Sequence, residues 1–400
     1  MKETLKAVLS HIRESVKNTG KGFYVFVGIL IIVITWAFIN YAQIFITGHG
    51  MSGLSDVVPW GLYISFLAFF IGASAGATII GLLIYGFRQD DYKPMGTRAI
   101  LLALVCIFGA TQFVMADVGV PWRALKVPFL LRNVTSMFFI SSTSYFIFMA
   151  LLSAELYYAI KVTFGIGGEK AKKMAKWLGI LAVPFALFVV HTFTGTIFGV
   201  VKAREFWNTP LLPIHFITSA LASGFAIVIL IAIITSKLKK REIVSQKTFN
   251  HMGLLLGAFL TATLFLDLTD YLIVLYSGTA EGMETWHILS ERYAPLLSLN
   301  IIGMIIAIII LMFKKGRTVP GLFISSLLTI VAILAYRINL ISVGQLVPLY
   351  PEMGTLHYVP SVPEISVALG IVALMVLLYM IFAKILPMEK TVTGLADKGV

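Results

Sequence analysis

The chain has 400 residues, of which 58% are hydrophobic and only 12% charged, with a mean hydropathy of +0.93; a soluble domain carries about twice that charged fraction. So little polar surface excludes a water-exposed globule, and the net charge of +12 lies in short clusters between apolar runs, a topology signal and not a nucleic-acid patch. The lone Cys106 excludes an intrachain disulfide, a paired-cysteine redox motif, and an iron–sulfur cluster or structural zinc held by cysteines of this chain alone.

Residues 1–22 are basic and lack a small-residue cleavage pattern, so they read as a retained amphipathic lead-in to a first span. Apolar runs near 23–46, 59–86, 97–117, 136–160, 177–201, 212–236, 250–277, 291–313, 318–338 and 362–386 follow. Each is long enough to cross a bilayer as a helix, which takes about 20 residues. Barrel strands would instead appear as alternating segments of about ten residues. The fold class is therefore all-α and polytopic, with about ten transmembrane helices. With the N-terminus placed inside, 24 of the 31 Lys and Arg residues fall on the inner side. The outer seven are Arg123, Lys126, Arg132, Lys202, Arg204, Arg292 and Arg337. This bias predicts cytoplasmic N- and C-termini.

The second run opens PWGLYISFLAFFIGASAGA (59–77), and its small residues Gly72–Ala77 favour close helix packing. Trp60 and Tyr63 at its outer end fit an aromatic belt or the wall of a quinone pocket. The third run ends at Asp117, a carboxylate that can hydrogen-bond a redox headgroup and move its protons, or can simply face interfacial water. Glu155 lies near the inner end of the fourth run. In the fifth, His191 shares a face with Thr194; an imidazole there can hydrogen-bond a quinone carbonyl, relay a proton or serve packing alone.

The sixth run, around WNTPLLPIHFITSALASGFA (207–226), resembles the second. His215 within it reads as an interfacial packing residue, and a haem between His191 and His215 lacks a second pair to support it. The seventh run holds Asp267 and Asp270, three apart on one helix face. With Arg337 and Glu155 they read as a proton route or as structural ion pairs. Ionisable groups within hydrocarbon cost several kcal/mol unless paired or wetted, roughly 2.5–3.5 on insertion scales, so this set is the candidate machinery. The repeat predicts two parallel four-helix bundles, spans 2–5 and 6–9, flanked by spans 1 and 10. All lie in one membrane domain, divided into 1–58, a first bundle over 59–201, a second over 202–338, and an outer loop, last helix and tail over 339–400. The proline-rich loop 339–361 reads as a structured cap or docking surface.

Three segments resemble the NrfD/PsrC family of polysulfide-reductase-type membrane subunits: PWGLYISFLAFFIGASAGA (59–77), AREFWNTPLLPIHFITSALASG (203–224) and YVPSVPEISVALG (358–370). The third is similar to the ten-helix branch that includes DsrP-type and hydrogenase membrane subunits. The resemblance implies a subunit of a respiratory complex in a prokaryotic cell membrane. It would hold no haem or iron–sulfur cluster and would bind menaquinone near the outer face, between spans 2–5. There Trp60, Tyr63, Asp117, His191 and Thr194 would surround the headgroup, with Asp117 and His191 handling its protons. An extracytoplasmic, ferredoxin-like iron–sulfur subunit would exchange electrons with it, and a cytochrome c or further membrane subunits would complete the complex. Two readings of other classes stay open: a secondary transporter, and a passive anchor for a peripheral complex.

Overall fold

The computed structural model describes residue 13 and residues 19–124, 126 and 133–388. Most of the basic lead-in over 1–22, Arg132, and the tail beyond 388 lie outside the described residues. Among the described residues the chain is helical, without strands, and ten helices are long and apolar enough to cross a membrane. They are α1 (Lys21–Thr47), α2 (Leu62–Gly86), α3 (Asp90–Asp117), α4 (Met137–Thr163), α5 (Gly168–Gly199), α6 (Leu211–Lys239), α7 (Gln246–Tyr276), α8 (Ala294–Met312), α9 (Val319–Leu346) and α10 (Val362–Ile385). The shortest, α8, has 19 residues; at 1.5 Å per residue it spans roughly 28 Å, close to the hydrocarbon thickness.

Local signals set several helix starts. Ser245 and Ser361 accept backbone N–H bonds from Thr248 and Glu364, and proline occupies the first turn of α8, α9 and α10, where a missing N–H costs nothing. Helix α5 is interrupted: Pro184 is followed by a π-type turn over Phe185–His191. A proline within a helix removes a backbone bond, and the wider turn accommodates the loss.

Packing follows the expected repeat. Helices α2, α3, α4 and α5 close one ring, each touching the next and α5 returning to α2; α6, α7, α8 and α9 close a second in the same way. The rings meet chiefly along α2 and α6, while α10 lies against α1 and α3. The α2–α6 seam works because both helices present small residues. A Cβ on Gly76 would meet the backbone of Ala220 and Gly224, and one on Gly224 the backbone of Ala73, Gly76 and Ala77. Large side chains such as Phe38, Phe265 and Leu272 point outward, as a lipid solvent permits.

Two boundaries differ from the hydropathy reading. Helix α9 continues to Leu346, so the loop before α10 begins at 347 and not at 339. The segment 339–346 reads as loop because Asn339, Ser342 and Gln345 are polar, yet all three are buried. Arg337 is thus not an outer-loop residue: it sits inside α9, with its guanidinium 3.6 Å from the Phe216 ring and donating to Ser219 at 2.5 Å. Helix α5 begins at Gly168 because its charged first turns extend past the apolar stretch.

Candidate functional site

One end of the molecule gathers the loops around 48–61, 200–210 and 347–361. Gln345 at the end of α9 grips the chain before α2 twice, accepting from the Trp60 N–H at 3.0 Å and donating to the Trp60 carbonyl at 2.7 Å. Arg204 donates to the Val347 carbonyl and Arg292 to that of Leu356, at 3.0 Å for the latter.

Helix α2 has no side-chain cap of its own, since Gly61 precedes it. Glu364 of α10 supplies one from another helix. Its fully buried carboxylate accepts the Leu62 N–H at 3.0 Å, the Gly53 N–H at 3.1 Å and the Tyr358 hydroxyl. A negative charge at a helix N-terminus satisfies free N–H groups and the positive end of the dipole. Tyr358 lies in the loop; burial first, then the adjacent Glu364, holds its phenol well above the ordinary range, so it remains a donor.

Just inside this clasp lie Tyr63 and Asp117, each within electrostatic reach of the other and of Glu364, with Tyr41 of α1 also facing Tyr63. Tyr41 itself donates to the Met115 carbonyl at 3.2 Å. The Tyr63 hydroxyl and Asp117 Oδ1 are both buried and have no hydrogen-bond partner among the described residues. Leaving such a group unsatisfied costs about 1–3 kcal/mol, so a neighbouring pair, one able to donate and one to accept, marks a place built for something else. Tyr63 can donate one hydrogen bond there and Asp117 can accept another.

The other expected residues lie elsewhere. His191 ends the π-type turn of α5, eight residues from that helix's end, roughly 12 Å along the axis. Its Nδ1–H donates to the Ala186 carbonyl at 2.9 Å, so in the neutral ring the buried, unpartnered Nε2 is an acceptor. That ring can accept from a hydroxyl but cannot donate to a carbonyl. No hydrogen bond joins it to Asp117; its charged neighbour is Arg337 of the second bundle. Thr194 gives its single proton to the Val190 carbonyl at 2.6 Å and accepts from Tyr145 at 2.8 Å, so its hydroxyl is already engaged. Trp60 stacks on Trp207, centroids 5.6 Å apart, with Phe138 and Phe198 against its edges. It is a keystone between the bundles. The expected five-residue ring is therefore not gathered at one point: Tyr63 and Asp117 are together, facing α1 and α10 as well as their own bundle.

In the second bundle, His215 is a fully buried partner of Asp267, not an interfacial residue. The second Asp267 oxygen accepts from Asn300 at 3.0 Å, and Asn300 accepts from Tyr271 at 3.2 Å. Asp267 pairs with histidine and not directly with Arg337 because α6 brings His215 against it, while Arg337 reaches Ser219. Asp270, one turn nearer the loop end, borders a cleft of about 340 Å³ between the start of α6 and the end of α7. That cleft lies in the second bundle, away from Tyr63 and Asp117. Glu155 is buried in the first bundle with Tyr85 and the backbones of Gly81 and Gly179 around it.

Glu364 and its clasp escape a reading of the sequence, although Ser361-Val-Pro-Glu364 has the capping-box spacing and Ser361 does cap α10. Nothing in the sequence marks Tyr41 or Asn300.

Residues 50–348 match the family described as polysulphide reductase, NrfD. The chain belongs to this family. Among NrfD-type relatives, it is 27% identical over 387 residues to a selenate reductase subunit of Mesobacillus selenatarsenatis, covering 85% of this chain and 88% of that one. It is 25% identical to the Hdr-like menaquinol oxidoreductase integral membrane subunit of Archaeoglobus fulgidus, covering 92% and 95%. Similarity to the menaquinone reductase integral membrane subunit of Nitratidesulfovibrio vulgaris is 24%, over 91% of each chain. The family inferred from the three sequence segments agrees with these findings.

Proposed function

We propose that this NrfD-family chain is the quinone-reactive membrane subunit of a respiratory oxidoreductase, exchanging electrons between a menaquinol-type carrier and a partner iron–sulfur subunit docked at the loop end. The observation that carries the reading is the pair of orphaned polar atoms, Tyr63 Oη and Asp117 Oδ1, both buried beneath that end and within electrostatic reach of each other. The names of two relatives, a menaquinol oxidoreductase subunit and a menaquinone reductase subunit, give the carrier's class.

A quinol cannot lose electrons without losing protons, so a base beside the headgroup is required chemistry. Asp117 fills that role, Tyr63 orients the opposite oxygen, and Glu364 fixes the start of α2 on which Tyr63 sits. His191, deeper and offering an acceptor nitrogen, takes part as a relay toward Arg337 and not as a headgroup ligand. In the second bundle the His215–Asp267–Asn300 chain, with Asp270 toward the cleft, forms a proton route, with Glu155 serving the opposite half of the first bundle. The charge bias favours the loop end as extracytoplasmic and the termini as cytoplasmic.

The test is Asp117→Asn in the assembled complex, followed by quinol-dependent reduction of the partner's clusters. General-base removal should slow it about 10²-fold or more, with assembly intact. Unchanged turnover would remove Asp117 from the chemistry.

A further inference from the structure

The cleft bordered by Asp270 acquires a meaning from the internal repeat. Gly76 and Gly224, the reciprocal contact between α2 and α6, are 148 positions apart, and the stacked pair Trp60 and Trp207 are 147 apart. Both pairs join a residue of the first bundle to its counterpart in the second, so a pseudo-twofold axis runs between α2 and α6. Carrying Tyr63 across by the same interval lands on Leu211, which lines the cleft. Asp117 has no counterpart by this interval, since residue 265 is the outward-facing Phe265; the carboxylates nearest it on α7 are Asp267 and Asp270. Asp267 has both oxygens held, by His215 and Asn300, whereas the Asp270 carboxylate opens on the cleft. The cleft thus borders the second bundle's counterpart of the Tyr63 position, with Asp270 as its own carboxylate.

Its lining suits the same class of ligand. Phe206, Pro210, Leu211, Ile273 and Val274 give apolar walls, and Glu205, Asn208, Thr209 and Asp270 give polar contacts. Its volume of about 340 Å³ is at the lower end for small-molecule sites, roughly 300–1,000 Å³. Ile273 and Pro210 are exposed, which leaves a side opening for an isoprenoid tail lying in lipid.

We propose that this cleft is a second quinol-binding site, in which Asp270 accepts a hydroxyl hydrogen bond and the aromatic headgroup packs between Phe206, Leu211 and Ile273. It rests on the reading of Tyr63 and Asp117 as the first site.

The experiment is photolabelling of the intact complex with an azido-naphthoquinol bearing a short isoprenoid tail, followed by peptide mapping. Two labelled sets are expected, one containing Tyr63 or Asp117 and one containing residues 206–211 or 270–274. Both should be displaced by a hundredfold excess of unlabelled naphthoquinol. Leu211→Trp, which fills the cleft, should cut the second set at least tenfold and spare the first, whose persistence reports correct folding. Label confined to the first set, or cleft label that the excess does not displace, overturns the second site and leaves the first standing. Absence of both sets overturns the two together.

Discussion

Tyr63 and Asp117 pose the sharpest question at the level of single residues, because each buries a polar atom with no partner among the described residues. Natural interiors rarely tolerate that without a reason. Tyr63→Phe separates the roles: it removes an unsatisfied hydroxyl, so thermal stability in detergent should hold or rise slightly. Quinol affinity should fall about tenfold, the weight of one hydrogen bond near 1.4 kcal/mol. A KM increase with kcat little changed would show that the hydroxyl binds and does not react. A loss of thermal stability would mean that Tyr63 is held by contacts the orphaned hydroxyl does not reveal. Which residues matter is legible in part. Asp117 and Tyr63 stand out because ionisable or amphipathic side chains at helix ends are conspicuous in an apolar chain. His215 reads as mere packing because its partner Asp267 is 52 positions away, and no local pattern encodes that meeting. Thr194 looks available because sequence does not reveal that its proton already goes to Val190.

At the scale of elements, the ten helices are readable because lipid demands long apolar runs. The misplaced end of α9 shows where that logic stops. Hydropathy measures transfer to lipid, and a helix end buried inside protein can be polar, as Gln345 is when it holds Trp60 from both sides. The Glu364 clasp is the element-level counterpart, joining α10, the start of α2 and two loops. Glu364→Ala should leave the Gly53 N–H without its acceptor and the Leu62 N–H with the Tyr358 hydroxyl alone, and lower stability by about 1–2 kcal/mol, the typical cost of a lost cap. Glu364→Gln keeps an acceptor oxygen and should recover much of that loss. Equal destabilisation by the two variants would show that charge at the α2 terminus, and not the hydrogen bonds, is what matters. The α2–α6 seam should respond to volume alone. Gly224→Val drives a side chain into the Ala73–Ala77 backbone and should cost about 1–3 kcal/mol, visible as a lower melting temperature of the purified subunit. An unaltered melting temperature would mean that the seam has room the geometry does not show.

For the whole molecule, the functional reading depends on which way the chain faces. The proposed orientation rests on charge bias along the sequence, and removing Arg337 from the outer loops strengthens the contrast, leaving six basic residues on the proposed outer side against 24 on the other. Geometry adds that the starts of α2, α6 and α10 share an end with Tyr63, Asp117 and the cleft at Asp270, so a single orientation decides the side for every site at once. The chain's one cysteine makes this measurable. Cys106 is buried in α3 and should stay silent toward a membrane-impermeant maleimide, giving a clean background. Glu352→Cys, in the loop at the clasped end, should label from outside intact cells, and Lys315→Cys, between α8 and α9, only after the membrane is opened. Both positions are exposed and distant from Tyr63 and Asp117 in the chain, so labelling reports side and not catalysis. The reverse pattern would put the quinol site and its docking surface on the cytoplasmic face. The partner would then have to be a cytoplasmic protein, and protons released by Asp117 would enter the cell's interior.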